Sequence, residues 1–256
     1  MGLKIATYNN TALSATMTLE STGDGSGVST LRMTSLVDTT LTLSGTARFY
    51  TDAAGTLGES TSWTITAGAL RTIYLKAPSG SSTLTIPNRF VISQFGNGAA
   101  SGWDSSTNAA RLVFTAIDLQ NLTRLRIAGT STLTGALPTG LTYLYLFGNS
   151  IAWTYSGALP TGLTFLYLLG NSIDYTGANV SGTANITTFT MSNFRISKMT
   201  DAELITLLQS MTNRVGGLPA AAIIGDIANP TSTDAGVLAA LSALQAAKGT
   251  VVTRQA

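Results

Sequence analysis

Gly135-Ala-Leu-Pro-Thr-Gly-Leu-Thr-Tyr-Leu-Tyr-Leu-Phe-Gly-Asn-Ser-Ile151 is followed, 22 residues on, by Gly157-Ala-Leu-Pro-Thr-Gly-Leu-Thr-Phe-Leu-Tyr-Leu-Leu-Gly-Asn-Ser-Ile173. Self-similarity at a fixed period of this size marks an architecture of stacked units, each too small to bury its own apolar face. Within each copy, side chains two apart lie on one face of an extended strand. Leu144 and Leu146, and then Leu166 and Leu168, are therefore expected to point into a core. Leu141, Ile151, Leu163 and Ile173 would approach the same core from either side. Pro138 and Pro160 lack an N–H and fix φ, so the segment leading into each strand is expected to be extended, not helical.

The spacing Leu-x-x-Leu-x-Leu-x-x-Asn-x-Ile (Leu141, Leu144, Leu146, Asn149, Ile151; Leu163, Leu166, Leu168, Asn171, Ile173) resembles the leucine-rich repeat family. The resemblance implies a solenoid whose asparagines form a ladder, with Asn149 and Asn171 bonded to backbone where the chain leaves each strand. Gly148 and Gly170 would supply the freedom for that bend. The template decays in both directions. Leu122, Leu125, Ile127 and Thr130 fill it upstream, and Ile186, Phe189, Met191 and Ile196 downstream, with Phe194 at the Asn position. Four coils are legible and two more are expected.

Residues 3 to about 97 alternate as strands do. Leu13–Leu19, Leu41–Leu43, Arg48–Tyr50, Trp63–Ile65, Ile73–Leu75, Leu84–Ile86 and Phe90–Ile92 are separated by Gly, Ser, Asp and Pro, the pattern of an antiparallel sandwich. Residues 98–109, rich in Gly, Ala, Ser and Asn, read as a linker in which Trp103 is an anchor. Leu112–Ile117 would then open the repeats. After Ile196 the period becomes helical. Thr200-Asp-Ala-Glu203 is a capping box ahead of Leu204, Leu207, Leu208 and Met211. Ile223, Ile224 and Ile227 suggest an irregular coil. A second helix starts at Thr233-Asp234, with Val237, Leu241 and Leu244 on one face, before a last strand at Val251-Val252. The expected fold is thus mainly β with some α: an antiparallel sandwich-like domain at 1–97, a linker at 98–109, and a leucine-rich repeat solenoid with helical capping at 110–256.

The 256 residues contain no histidine and no cysteine. That removes the commonest general base, the usual activator of a serine nucleophile, thiolate chemistry, disulfides and the usual zinc ligands. Asp118 and Asp174 stand more than two coils apart at different template positions, unlike the paired carboxylates of a glycosidase. Gly23-Asp-Gly-Ser-Gly27 lacks the Lys of a phosphate loop and the further acids of a calcium loop. No enzyme, cofactor or metal is expected. Charged residues are 10% of the chain and the formal net charge is +2, with no basic run, so nucleic acid is not an expected partner. No stretch reaches the length of a bilayer span. Met1–Asn10 has no apolar h-region, and Ala6 stands where myristoylation needs Ser or Thr.

One constellation rises above this background. The residues between the leucines face outward: Arg124 and Arg126, then Tyr143, Tyr145 and Phe147, then Phe165 and Tyr167. Stacking of equivalent positions would set Tyr143 beside Phe165 and Tyr145 beside Tyr167, an aromatic patch edged by two arginines. Such patches mark contact surfaces, and Tyr and Arg anchor them. The partner would be an external ligand, the N-terminal domain or a sister subunit. Trp153, Tyr155 and Tyr175 fall on the connecting side as filler. No evident export signal, no Cys or His, and a low-charge Thr, Ser, Gly and Ala surface together suggest a bacteriophage virion protein. It would be a spike, fibre or capsid-decoration component contacting other virion proteins or a host surface protein or glycan, and a homo-oligomer is compatible. The alternative is a bacterial cell-surface or secreted adhesin.

Overall fold

A computed structural model describes residues 14–21, 28–78, 80–88, 91–97, 110–111, 121–133, 137–154, 159–170, 173–174, 185–195, 200–214, 223–228 and 234–248. Among the described residues, fifteen strands and two helices follow in chain order: β1 (Ala15–Ser21), β2 (Val28–Ser35), β3 (Thr39–Gly45), β4 (Arg48–Tyr50), β5 (Ser62–Ile65), β6 (Leu70–Lys76), β7 (Gly80–Ile86), β8 (Ile92–Asn97), β9 (Ala110–Arg111), β10 (Arg124–Leu133), β11 (Tyr143–Thr154), β12 (Phe165–Gly170), β13 (Ile173–Asp174), β14 (Thr188–Arg195), α1 (Asp201–Thr212), β15 (Ile223–Ala228) and α2 (Ala235–Lys248).

The first half is built by two-residue alternation. In β3, Thr39, Leu41 and Leu43 are buried while Thr40, Thr42 and Ser44 are exposed, because successive side chains point to opposite faces. β3, β7 and β1 pair antiparallel in a five-stranded sheet of order β5-β3-β7-β1-β9. The other sheet has the order β15-β14-β12-β11-β10-β8-β2-β6-β4, with β13 attached to β11. It is mixed. β4, β6, β2 and β8 pair antiparallel, and from β8 to β15 every pairing is parallel. Leu31, Met33, Ile73, Leu75 and Phe95 continue directly into Leu125, Ile127, Leu144, Leu146, Leu166 and Leu168, all wholly buried.

The expected fold class, an antiparallel sandwich followed by a leucine-rich repeat solenoid, is therefore corrected to two sheets, one antiparallel and one mixed, with two helices among the described residues. The parallel strands do not start a structure of their own. They extend the antiparallel sheet edge-on, and one cluster of buried side chains runs from Leu19 to Leu244. The cause is the pair β2–β8. The first parallel strand, β10, needs a partner for its outer edge, since an open edge leaves backbone donors and acceptors unpaired. β8 supplies it through Gln94↔Arg124, Phe95↔Leu125 and Gly96↔Arg126. β2, built on Leu31 and Met33, in turn holds β8.

The repeat offsets become the pairing register. Leu125↔Leu144, Leu144↔Leu166 and Leu166↔Phe189 are Cα partners. The chain does not leave the strand at Asn149. β11 runs on to Thr154 past a register shift between Ala128 and Thr130, where Gly148 and Asn149 oppose the single residue Gly129. Such a bulge re-aims a strand without ending it. Of Asn149 only the backbone is described. Asn171, Gly23–Gly27, the linker at 98–109 with Trp103, Leu112–Ile117, Tyr155, Tyr175, Ile196 and Val251-Val252 lie outside the described residues. The segments before the strands are turns: Leu141 N–H donates to Pro138 O and Leu163 N–H to Pro160 O, both at 3.1 Å.

A ladder does run across the repeats, but it is made of threonines. Thr123 Oγ1 donates to Ser93 O (2.9 Å), Thr142 Oγ1 to Thr123 O (3.0 Å), Thr164 Oγ1 to Thr142 O (3.0 Å) and Thr187 Oγ1 to Thr164 O (3.2 Å). The N–H of the same four threonines donates to the same carbonyls at 2.8 Å. Each rung pins the entry of one strand to the entry of the next, which sets the phase of the side chains that follow. Beyond β14, α1 buries Leu204, Leu207, Leu208 and Met211, and Arg214 Nη2 donates to Ile186 O at 3.1 Å. Burial pushes the Arg214 pKa down, though a guanidinium stays charged in proteins. Asp234 Oδ1 caps α2 by accepting from Gly236 N–H (2.8 Å) and Val237 N–H (3.1 Å).

Candidate binding face

With the leucines of β11 and β12 turned inward, the residues between them must face out. Strands lie about 4.8 Å apart, close to the thickness of stacked rings, so equivalent aromatics on neighbouring strands meet face to face. Tyr143 and Phe165 stack with centroids 4.2 Å apart at 12°, and Tyr145 and Tyr167 at 4.5 Å and 11°. On β10 each stack ends in a cation. The Arg124 guanidinium lies 3.7 Å from the Tyr143 centroid and that of Arg126 4.2 Å from Tyr145. Two parallel columns result: Arg124–Tyr143–Phe165 and Arg126–Tyr145–Tyr167.

The columns are half-buried, largely against themselves. Arg124, Tyr143, Tyr145, Phe165 and Tyr167 are of intermediate exposure, whereas Arg126 is 3% exposed. Arg126 was expected at the rim of the patch. It sits instead between Tyr145 on one side and the β8 position Gly96 on the other, where it braces a ring from within. A cation over an aromatic face contributes about 0.5–1 kcal/mol when exposed and about 2 when desolvated. Phe147 pairs through its backbone with Ala128 and Leu169, and its side chain is not described. The columns bring together six of the seven residues singled out from the sequence.

Two features of the face were missed. Arg32, on β2, stands opposite Gly96 and so one strand beyond Arg126; its Nε donates to Thr72 Oγ1 at 3.3 Å. The alternation Leu31-Arg-Met33 was the available signal. The second is the sign of the charge: β2, β6, β8, β10, β11, β12 and β14 contain no Asp or Glu, while Arg32 and Arg124 are half-buried there and Arg126 is buried. On β14 the positions following the columns are Thr188 and Thr190, and Thr188 is exposed.

No family model matches this chain, and no curated protein or solved structure is significantly similar to it. Among the described residues no cluster of His, Cys, Asp or Glu has the makings of a metal site, and no helix is long and apolar enough to cross a membrane.

Proposed function

We propose that this chain is a non-enzymatic interaction protein of a virion, a bacteriophage spike, fibre or capsid-decoration component, that engages its host or a neighbouring subunit through the Arg124/Arg126, Tyr143/Tyr145 and Phe165/Tyr167 face. The observation carrying this is the pair of cation-capped aromatic columns in register on one side of a rigid sheet. Large flat side chains held by neighbours bind with little loss of conformational freedom, and Arg and Tyr are the residues that anchor interfaces. A sequence without histidine or cysteine supports binding over catalysis. The likeness to leucine-rich repeats enters as a proposed kinship of the segments 141–146 and 163–168 alone.

The test is a double substitution, Tyr145→Ser with Tyr167→Ser. Host attachment lost from intact particles supports a receptor face. Particles lacking the subunit support an assembly contact. Unchanged attachment and unchanged incorporation reject the face. Mass spectrometry places the chain: peptides in purified particles support the virion, whereas recovery from a bacterial envelope fraction moves the same face to a surface adhesin.

A further inference from the structure

Among the described residues, the Arg124–Tyr143–Phe165 column begins on a cation and ends on the half-buried ring of Phe165. Phe165 is stacked on one face by Tyr143. Its second face looks towards β14, where the Cα partner is Thr188. Thr188 is exposed, and among the described residues nothing is hydrogen-bonded to its hydroxyl. The surface therefore drops from the height of an aromatic ring to that of a threonine across one strand spacing, about 4.8 Å. This step has an aromatic wall and a hydroxyl floor. The wall continues to Tyr167, two residues and about 6.7 Å along β12, whose partner on β14 is Thr190.

Resting on the function proposed above, we infer that this step is a subsite for one sugar ring of an acidic polysaccharide. A pyranose presents C–H groups on its face and hydroxyls at its rim, so it can cover the ring of Phe165 and meet Thr188 Oγ1 at once. An apolar protein side chain would fill the wall but strand that hydroxyl, and a polar group buried without a partner is costly. The occupant's charge follows from the surroundings. Arg32 and Arg124 are half-buried on the face, and the seven strands β2, β6, β8, β10, β11, β12 and β14 carry no carboxylate, the acidic strand positions of this sheet being Asp174 on β13 and Asp226 on β15. A lysine or arginine of a partner is disfavoured there, and an anionic chain is drawn in. Arg124 lies two strand spacings from Phe165, about 9.6 Å, so an acid group on a neighbouring sugar falls within the same field.

Affinity electrophoresis of the full chain in gels containing polygalacturonate, dextran or polyglutamate tests this. Retardation is expected in polygalacturonate, less in dextran, and less in polyglutamate, which has the charge without the sugar. Thr188→Trp keeps every native wall residue and fills the step with an indole at an exposed strand position where aromatics are well tolerated. It should weaken polygalacturonate binding roughly tenfold or more, a change of about 1.4 kcal/mol, with the melting temperature unchanged. Phe165→Leu should do the same by removing the wall. Equal retardation by polyglutamate and polygalacturonate overturns the sugar subsite, as does unchanged binding in Thr188→Trp or no retardation of the wild type. Should the Tyr145/Tyr167 double variant lose attachment while polygalacturonate is ignored, the subsite falls and the binding face stands. Should that double variant both attach and be incorporated normally, the face falls, and the gels judge the subsite separately.

Discussion

Leu166 shows how much a single position carries. It is wholly buried, with Leu144 and Phe189 as its partners on the flanking strands. Leu166→Ala removes transfer energy and leaves a cavity that backbone-pinned neighbours cannot close, so about 2–5 kcal/mol should be lost in urea unfolding. The threonine ladder predicts a smaller effect. Thr164→Val deletes the hydroxyl donor to Thr142 O, but that carbonyl keeps the N–H groups of Thr164 and Phe165. The loss should sit at the low end for a hydrogen bond, about 0.5 kcal/mol. The ladder was readable in the sequence, since Thr123, Thr142, Thr164 and Thr187 each follow the Leu or Ile that opens the Leu-x-x-Leu spacing, Leu122, Leu141, Leu163 and Ile186. The resemblance to leucine-rich repeats points instead to asparagine as the ladder residue, which draws attention away from these threonines. Asp52 carries a pH-dependent contact: its carboxylate accepts from Leu57 N–H (2.7 Å), Thr56 N–H (2.9 Å) and Thr56 Oγ1 (2.9 Å). The Leu57 N–H foremost holds its pKa below the usual carboxylate value. A group depressed in the folded state stabilises above its unfolded pKa and loses that contribution as pH falls through the folded one. Protection of the Thr56 and Leu57 amides, taken relative to their intrinsic exchange rate at each pH, should therefore fall on acidification, and Asp52→Asn should flatten that dependence.

At the level of elements, the helices and most of the antiparallel strands were legible because period and punctuation agree. The period of 3.6 after Thr200 and the cap at Asp234 each announce a helix before any packing is known. Asp234→Ala should cost about 0.5–2 kcal/mol, since the first turn of α2 loses the acceptor of two N–H groups; urea unfolding of the variant measures it. β2 was missed for a physical reason. Its core set is short, Leu31 and Met33, with Arg32 between them, and the alternation is too brief to stand out. The continuation of β11 through Asn149 was missed for another. Gly148-Asn149 reads locally as a turn, yet the pairing of Ser150–Trp153 with Thr130–Leu133 keeps the chain extended. The aromatic columns were legible because register in a parallel stack is set by the repeat offset itself, so equivalent positions had to meet. That Arg126 would be closed in was not, because burial there depends on β8, a neighbour that sequence proximity does not suggest.

At the scale of the molecule, the decisive feature is that β8, β10 and the parallel strands continue the sheet begun by β4, β6 and β2. Two domains joined by a linker would unfold separately. A shared sheet with one contiguous core should unfold together, because breaking β10 from β8 opens an edge on each side and exposes Phe95 and Leu125 at once. The prediction uses Leu166→Ala as a lever. Global destabilisation by about 2–5 kcal/mol raises exchange of every amide that opens only by global unfolding, by roughly 30-fold to several-thousand-fold. Amides of β2 and β6, such as those of Leu31 and Ile73, lie four and five strands from the substitution. They should nevertheless accelerate by the same factor as Leu144 on β11. Hydrogen exchange read by mass spectrometry on matched peptides decides it. Acceleration confined to β10–β15 would mean that the seam at β8 is weak and that the two halves open independently, whatever their shared hydrogen bonds.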